Sequence, residues 1–473
     1  MMILERMPVV TGLPEANFAP FAAKMRGEGL PELVINVFGH YYGLLAEGAT
    51  GEIPGDEALP VTTLPRYEDL DERYQAAGEA ALDKAIMLKL NGGLGTSMGM
   101  NGPKALLRVK QGRSFLDIIA HQISALREKY GVRVPLVLMD SFNTHAASVA
   151  ALLAQADFEQ DLPFDFLQHK VPKVWKADLT VVEWPADPTL EWCPPGHGDI
   201  YAAMATSGIL DELLDAGYEY AFVSNSDNLG ATLDPAILGY VVEHELPFLM
   251  ETALRTSADR KGGHLARRPD GQLILREIAQ CPADEIDAFQ DIDRYRFFNT
   301  NNLWIHLPTL QAVIRERKGV LGLPLIRNEK SVDPTQPDSP SVYQLETAMG
   351  SAIAVFEGAQ ALVAPRSRFL PVKNNTDLLV LLSDAYELTP DYNLVLAADA
   401  PPLVRLDDCY YKLIDDARVR FPHGAPSLID CTALRVTGDV RFGRDVRVRG
   451  DVTIEHDGDE PLWIEDGTIL SGT

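Results

Sequence analysis

Four stretches of this sequence carry residues suited to holding phosphate. The first is Lys89–Leu106, KLNGGLGTSMGMNGPKAL. An apolar run, Ala85 to Leu88, gives way to Asn91, Gly92, Gly93, Gly95, Thr96, Ser97, Gly99 and Gly102, then to Pro103-Lys104. A strand that breaks into a glycine-rich turn leaves backbone N–H groups uncovered. With a lysine behind them, those donors suit a polyphosphate. The spacing matches neither the GxGxxG dinucleotide loop nor the GxxxxGK[ST] phosphate loop. The second stretch is Pro194-Pro195-Gly196-His197-Gly198-Asp199. Two prolines stiffen the approach, and glycines on both sides of His197 let a ligand come close to the backbone. The third, Phe222-Val223-Ser224-Asn225-Ser226-Asp227-Asn228, ends an apolar strand on short polar side chains. Asp227 offers oxygen to Mg²⁺, because hard cations prefer oxygen ligands; an Asx-turn or helix cap is the other use of Asp and Asn at such a point. The fourth is Arg366–Leu379, in which Lys373 stands between a strand-like run and the helix-capping residues Asn374, Asn375 and Thr376. Lys261-Gly262-Gly263 and Asn299-Thr300-Asn301-Asn302 are stretches of the same type.

The sequence shows no Ser-His-Asp order, no HExxH and no close carboxylate pair within one motif. Phosphoryl or nucleotidyl transfer needs none of these when the nucleophile is itself a phosphate. Such an oxygen is already anionic. The protein must hold two anions in line and screen their repulsion. Two lysines, one metal-binding aspartate and a loop of N–H donors fit that task.

Strands and helices must bring these stretches together. Apolar runs at 85–90, 135–140, 164–168, 220–224, 248–253, 272–277, 297–307 and 353–364 predict strands. Helical periodicity at Leu116–Tyr130, Thr144–Gln155, Ile200–Ala216 and Pro235–Glu245 lies between several of them. This alternation predicts an open, mostly parallel α/β sheet covered on both faces. Ligands bind such sheets beyond the carboxyl ends of the strands, where the NGGLGT, QHK, NSDN and NTNN segments fall. Residues 1–80 form a helical lead-in, 81–382 the domain with the chemistry, and 383–473 a connector and tail. Asp333–Ser341, dense in Pro, Asp and Ser, has the composition of a linker. In the tail, Leu434, Val440, Val446 and Val452 are six apart, as are Val436, Phe442, Val448 and Ile454, the pattern of a hexapeptide β-helix.

Acidic residues outnumber basic ones, 68 against 42, for a formal charge of −26. That balance argues against nucleic acid or an anionic membrane as partner. Cys193, Cys281, Cys409 and Cys431 are dispersed and indicate neither a zinc site nor a disulfide framework. The opening MMILERMPVV lacks the apolar core of a signal peptide, so a cytoplasmic protein is expected.

LNGGLGTSMG…GPK, PPGHGDIY, FVSNSDNLGAT, KGGHL, EIAQ, FNTNNLW, LETAMGSAI and PRSRFLPVK, in this order over residues 85 to about 380, closely resemble the eukaryotic-type UTP–glucose-1-phosphate uridylyltransferase family. The resemblance implies a Rossmann-like nucleotidyltransferase domain of glycosyltransferase-A type, built on a mixed sheet. It also implies the helical N-terminal segment and a C-terminal left-handed parallel β-helix. The substrates it implies are UTP and glucose 1-phosphate, with Mg²⁺ as cofactor. It assigns Leu90, Asn91, Gly92 and Gly93 to uridine and phosphates, Lys104 to phosphate, and Gln168 to uracil. Gly196 and His197 resemble contacts to nucleotide and sugar phosphate. Asn225 and Asp227 resemble the pair of the SNSDN motif, with Asp227 on Mg²⁺. Gly263, Glu277, Asn301 and Asn302 resemble the sugar side, and Lys373 matches the lysine that meets transition-state charge. Met100 and Asn101 depart from the Cys and Lys of many relatives, and Asn374-Asn375-Thr376 replaces a Ser/Thr-rich run. The chain ends at Gly472-Thr473 without the longer tail that some relatives use to assemble end to end, so a monomer or small homo-oligomer is expected rather than an octamer. The neighbouring alternatives are a pyrophosphorylase for UDP-N-acetylglucosamine or for many UDP-sugars, and a nucleotide-sugar-binding regulator without catalysis.

Overall fold

The periodicity of the lead-in forms helices Glu15–Gly27 and Glu32–Ala46 in a computed structural model of the protein, which describes residues 15–155 and 158–472. The MMILERMPVV stretch lies outside the described residues. The two helices bury Phe21, Met25, Val34, Ile35, Phe38 and Tyr42 together with Val171, Val174, Cys193, Leu325 and Leu345. The Phe21 and Tyr42 rings meet at 4.7 Å between centroids, a contact worth about 0.5–1.5 kcal/mol beyond the area it buries. The third helix, Glu72–Ala81, is capped by Asp71, whose side chain accepts from the Arg73 N–H.

The chain divides into two compact units. One runs to Leu88 and adds Phe166–Val223 and Asp234–Ala364; the other comprises Lys89–Asp165, Ser224–Leu233 and the chain from Pro365 onward. Strands Ala85–Leu90 and Tyr220–Asn225 each begin in the first unit and deliver their last residues to the second.

The first unit is built on a mixed sheet. Strand Phe297–His306 pairs antiparallel with Tyr220–Asn225 on one side and with Phe248–Leu254 on the other, while Phe248–Leu254 pairs parallel with Gln360–Val363. Strand His264–Arg267 pairs antiparallel with Leu273–Arg276 and with Leu59–Pro60. The mostly parallel expectation is therefore corrected. Strand 297–306 follows a hairpin and turns rather than a helical crossover, so nothing obliges it to run parallel. Two further expectations change. The 353–364 run is a 3₁₀ segment, Met349–Ala354, followed by the short strand Gln360–Val363. The Ile200–Ala216 helix is two helices, Ile200–Ser207 and Ile209–Asp215, separated by Gly208 at φ +86°. Asp333–Ser341 is the loop of a hairpin whose strands, Ile326–Ser331 and Ser341–Glu346, pair over their full length. Helices Glu72–Ala81 and Pro235–Glu243 cross through glycines. A Cβ on Gly78 would lie 1.7 Å from the Pro235 carbonyl oxygen, and one on Gly239 would lie 1.8 Å from that of Tyr74.

In the second unit, helix Phe115–Tyr130 starts on a reciprocal Ser114–Asp117 cap and ends on Gly131 at φ +67°. It is followed by strand Leu136–Asp140 and helix His145–Leu153. Helix Asn375–Leu382 starts on a second reciprocal cap, Asn374–Asp377. The tail pairs its strands in parallel: Leu434 with Val452, Val436 with Ile454, Val440 with Leu462, Phe442 with Ile464 and Val448 with Leu470. Each of these pairs stacks one apolar side chain on another. Among the described residues, no helix is long and apolar enough to cross a membrane.

Candidate active site

The glycine-rich loop, Asn225, Asp227 and Lys373 belong to the second unit. At the end of strand Ala85–Leu90, Lys89 is fully buried. Its ammonium donates to Ser224 Oγ at 2.7 Å and to the Ala231 carbonyl at 2.8 Å, which fixes both ends of the 224–233 segment. The Ser226 N–H reaches the Leu90 carbonyl at 3.0 Å. The loop then turns through Thr96–Met98, flanked by Gly95 and Gly99 at φ +65° and +73°. It returns so that the Lys104 N–H meets the Gly93 carbonyl at 3.0 Å.

This return aims Lys104 at Asp227. Its Nζ lies 2.7 Å from Asp227 Oδ2 and also donates to the Val372 carbonyl. Asp227 Oδ1 is buried and has no hydrogen-bond partner among the described residues. The Val372 N–H donates to the Asp227 carbonyl at 3.2 Å, and Asn228 Oδ1 accepts from the Leu370 N–H at 2.9 Å. The FLPVK and NSDN segments are thereby sewn together, with Lys104 on both. Lys373 follows this junction, exposed, its ammonium 5.8 Å from the Phe369 ring centroid. Asp377 accepts from the Lys373 and Asn374 N–H groups at 2.7 and 3.2 Å, and burial raises its pKa above the usual carboxylate value. The sequence presents these three motifs separately; the structure joins Lys104, Asp227 and the residue before Lys373 directly.

Asn91 is placed differently from a simple ligand contact. Its side-chain amide donates to Asp140 Oδ1 at 2.7 Å and to Ser148 Oγ at 2.8 Å, so its part in the loop is to anchor it. Ser141 Oγ donates to the Gly92 carbonyl at 3.1 Å. Leu90 and Gly92 are half-buried and Gly93 is exposed. Asp140 is wholly buried, and desolvation, assisted by the nearby Asp165 carboxyl, pushes it up to about 6.

The first unit holds Gln168, Gly196, His197, Gly263, Glu277, Asn301 and Asn302 in two groups. In one, Gln168 Nε2 donates to the Gly196 carbonyl at 2.9 Å. Asp199 accepts from the His169 N–H at 2.8 Å, which ties QHK to PPGHGD. Gly196 has φ +78°, and a Cβ there would fall 2.4 Å from the Thr347 carbonyl oxygen, so no other residue fits. The Met349 N–H donates to His197 Nδ1 at 3.0 Å. That bond leaves Nδ1 without a proton. The neutral ring then carries its hydrogen on Nε2, as a donor. His197 keeps part of its surface open, but protein packs around its imidazole and the lost hydration pushes its pKa down to about 4.

The other group stands on strand Phe297–His306. Its register against Phe248–Leu254 jumps between Glu251 and Thr252, which face Asn302 and Asn299, leaving Thr300 and Asn301 as extra residues. Asn301 takes φ +59°, and Asn299 and Asn301 exchange two bonds: Asn299 Nδ2 to Asn301 Oδ1 at 2.8 Å and the Asn301 N–H to Asn299 Oδ1 at 3.0 Å. Glu251, fully buried, accepts from Asn302 Nδ2 at 3.1 Å and from Trp304 Nε1 at 2.9 Å. A Cβ on Gly263 would lie 2.5 Å from the Glu277 carboxylate, which also caps the 278–280 turn. The Thr347–Gly350 segment touches both groups. Met349 bonds His197, and a Cβ on Gly350 would meet Asn299 Nδ2 at 3.1 Å.

Sequence reasoning missed Asp140, Asp199 and Glu251. Asp140 and Glu251 each follow an apolar run, and an acid in that position is the signal that marks them, whereas Asp199 closes the PPGHGD motif. Their partners are distant in sequence, which hid their use.

A model of the UTP–glucose-1-phosphate uridylyltransferase family matches residues 40–449. A probable UTP–glucose-1-phosphate uridylyltransferase from Schizosaccharomyces pombe is 40% identical over 446 residues, covering 92% of this chain and 86% of that one. A mutant UDP-glucose pyrophosphorylase from Leishmania major, solved in complex with UDP-glucose, superposes with a TM-score of 0.90 at 45% identity, covering 97% of this chain and 98% of the other. The Trypanosoma brucei protein gives a TM-score of 0.87 at 44% identity, covering 96% and 98%. With most of both chains matched in sequence and in fold, this chain belongs to the UTP–glucose-1-phosphate uridylyltransferase family.

Proposed function

We propose that this chain forms UDP-glucose and diphosphate from UTP and glucose 1-phosphate, working in the cytoplasm in carbohydrate metabolism as a monomer or small oligomer. An oxygen of the sugar phosphate attacks the α-phosphorus of UTP in line. One P–O bond forms, the bond to the bridging oxygen breaks, and diphosphate leaves with its electron pair. No proton need be removed from the nucleophile, which accords with the absence of a base motif. Gln168 reads uracil, with Nε2 held on Gly196 and Oε1 as the acceptor. The turn from Leu90 to Gly93 meets uridine and phosphates, with the Asn91 N–H spent on the Met139 carbonyl at 2.8 Å so that Gly92 and Gly93 supply the backbone donors, and the Lys104 ammonium takes the phosphates. Gly196 and His197 meet nucleotide and sugar phosphate, His197 as an Nε2–H donor. Asn225 stands beside Asp227 at the strand end, Asn301, Asn302, Gly263 and Glu277 line the sugar side, and Lys373 meets the charge that builds up in transfer.

The donor set at Asp227 fits Mg²⁺. Its Oδ1 is an orphaned, buried carboxylate oxygen, a hard ligand in need of a cation. Bound there, Mg²⁺ would neutralise phosphate charge. The Lys104–Asp227 pair carries the proposal, since it sets one cation and one metal ligand side by side behind a loop of N–H donors. We further propose a glycosyltransferase-A-type catalytic domain over 81–382, the lead-in 1–80, and a left-handed β-helix in the tail 383–473.

The test is diphosphate release from UTP, Mg²⁺ and a panel of sugar 1-phosphates. Glucose 1-phosphate should be turned over fastest. Equal rates with N-acetylglucosamine or galactose phosphates would sink the glucose assignment, and no release with any would sink catalysis.

A further inference from the structure

At the base of the glycine-rich loop, the second unit gathers a second set of metal-ligating side chains. Asp140 ends strand Leu136–Asp140, His145 opens helix His145–Leu153, and Asp165 opens strand Asp165–Leu167. One ligand atom from each lies within 4.8 Å of the other two. Asp140 is completely buried. Its Oδ1 takes both the Asn91 amide and the Thr144 hydroxyl, whereas its Oδ2, also buried, has no hydrogen-bond partner among the described residues. His145 Nδ1 meets Asp165 Oδ2. Those two side chains remain 47% and 11% exposed, so the set opens to solvent on the histidine side.

Two carboxylates this close repel, and one imidazolium answers only one of them. A buried carboxylate oxygen without a donor is costly unless a proton or a cation meets it. Ligand bonds of about 2.0–2.2 Å set donors of a tetrahedral site about 3–3.5 Å apart. The three groups are thus within a small inward movement of a common centre. Mg²⁺ and Ca²⁺ favour all-oxygen surroundings. An imidazole nitrogen with two carboxylates suits the Zn²⁺, Co²⁺ and Mn²⁺ class instead.

We propose that Asp140, His145 and Asp165 form a binding site for one divalent transition cation, separate from the Asp227 position. Asp140 also holds Asn91, the first residue of the glycine-rich loop, so the bound cation stiffens the base of that loop through the carboxylate they share. Entry is from the exposed His145 side, and the cation displaces the proton shared by His145 and Asp165.

The test is a Co²⁺ titration of the full chain after stripping with a chelator, near neutral pH, followed by its visible ligand-field absorption. One equivalent should bind, Zn²⁺ should abolish the band, and excess Mg²⁺ should leave it. His145→Ala and Asp165→Asn should each weaken binding at least about tenfold, the loss that even an outer-shell partner produces. Asp227→Asn should leave the band in place. Zn²⁺ should raise the melting temperature of the stripped wild type and not that of His145→Ala. A band that persists in His145→Ala, that disappears in Asp227→Asn, or that never forms would overturn the site, as would equal Zn²⁺ stabilisation of both proteins. Displacement by Mg²⁺ would overturn the cation class.

Discussion

Replacing Lys104 by methionine keeps the length of the side chain and removes its charge. Lys104 and Asp227 are 13% and 20% exposed and 2.7 Å apart, and the opposite oxygen of Asp227 already has no hydrogen-bond partner among the described residues. Removing one member of a buried pair costs about 3–5 kcal/mol, most of it the stranding of the other charge. The residual exposure of both side chains puts this case below that range, at about 2–3 kcal/mol, including about 1 kcal/mol for the lost bond to Val372. Adding Asp227→Asn should remove the stranded charge and recover half or more of the loss. Urea midpoints of the wild type, both single variants and the double variant, without divalent cation, form the cycle. Mg²⁺ should then raise the midpoint of Lys104→Met more than that of the wild type, because the released carboxylate takes the ion unopposed. Turnover of Lys104→Met should fall about 10²–10³-fold, the cost of one preorganised charge in a transition state. If the double variant is no more stable than Lys104→Met, and Mg²⁺ acts equally on both proteins, then the pair is not an electrostatic unit and the assignment of Asp227 to the metal loses its support.

Lys373→Ala should lower turnover by orders of magnitude while UDP-glucose binding, measured by calorimetry, is retained; near-normal turnover would remove Lys373 from the mechanism. Gln168→Ala should raise KM for UTP more than it lowers kcat, and unchanged UTP affinity would contradict the uracil role. His197 has a folded pKa of about 4 against about 6.5 in the unfolded chain. The unfolded chain therefore binds more protons between those values, so this histidine's contribution to stability is complete above about pH 6.5 and is lost as pH falls toward 4. His197→Asn keeps an acceptor and does not titrate, so the wild type should lose stability relative to it over that window; parallel curves would refute the assignment. Gly239→Ala should destabilise by about 3 kcal/mol, the upper range for overpacking, against the sign of helix propensity, because the new Cβ meets backbone at 1.8 Å. An unchanged melting temperature would mean that the two helices can separate without loss.

Local signals in the sequence carried far. The capping role read at Asn374 holds, because its side chain meets only a nearby N–H group, that of Asp377, and such a pairing is visible in spacing alone. The apolar positions picked out in the tail were legible too: Leu434, Val436, Val440, Phe442 and Val448 are buried and meet apolar partners on a parallel neighbour. Strand direction was not. Whether Phe297–His306 runs parallel or antiparallel depends on the path of the 264–296 excursion, which no periodicity encodes. Met349–Ala354 was hidden for a related reason: a short buried apolar run has the same composition in a 3₁₀ turn as in a strand. In the site, motif residues were visible as types, but the division of labour within the motifs was not. Asn91 turns to Asp140 and Glu251 holds Asn302 because of pairings across 49 and 51 residues.

The two extra residues on strand Phe297–His306 have a consequence for how the protein can change. Side chains of a strand alternate between its faces with period two. An insertion of two therefore leaves Phe297 and Phe298 before it, and Leu303, Trp304 and Ile305 after it, on the faces they would occupy without it. Thr300 and Asn301 form a detachable graft on an intact lattice. Loss of either one alone would turn half the strand inside out, whereas loss of both would restore the plain ladder and erase the amide pair. Length variation at this point is thus quantised in steps of two, and the fold is insulated from gain or loss of the amide pair it displays.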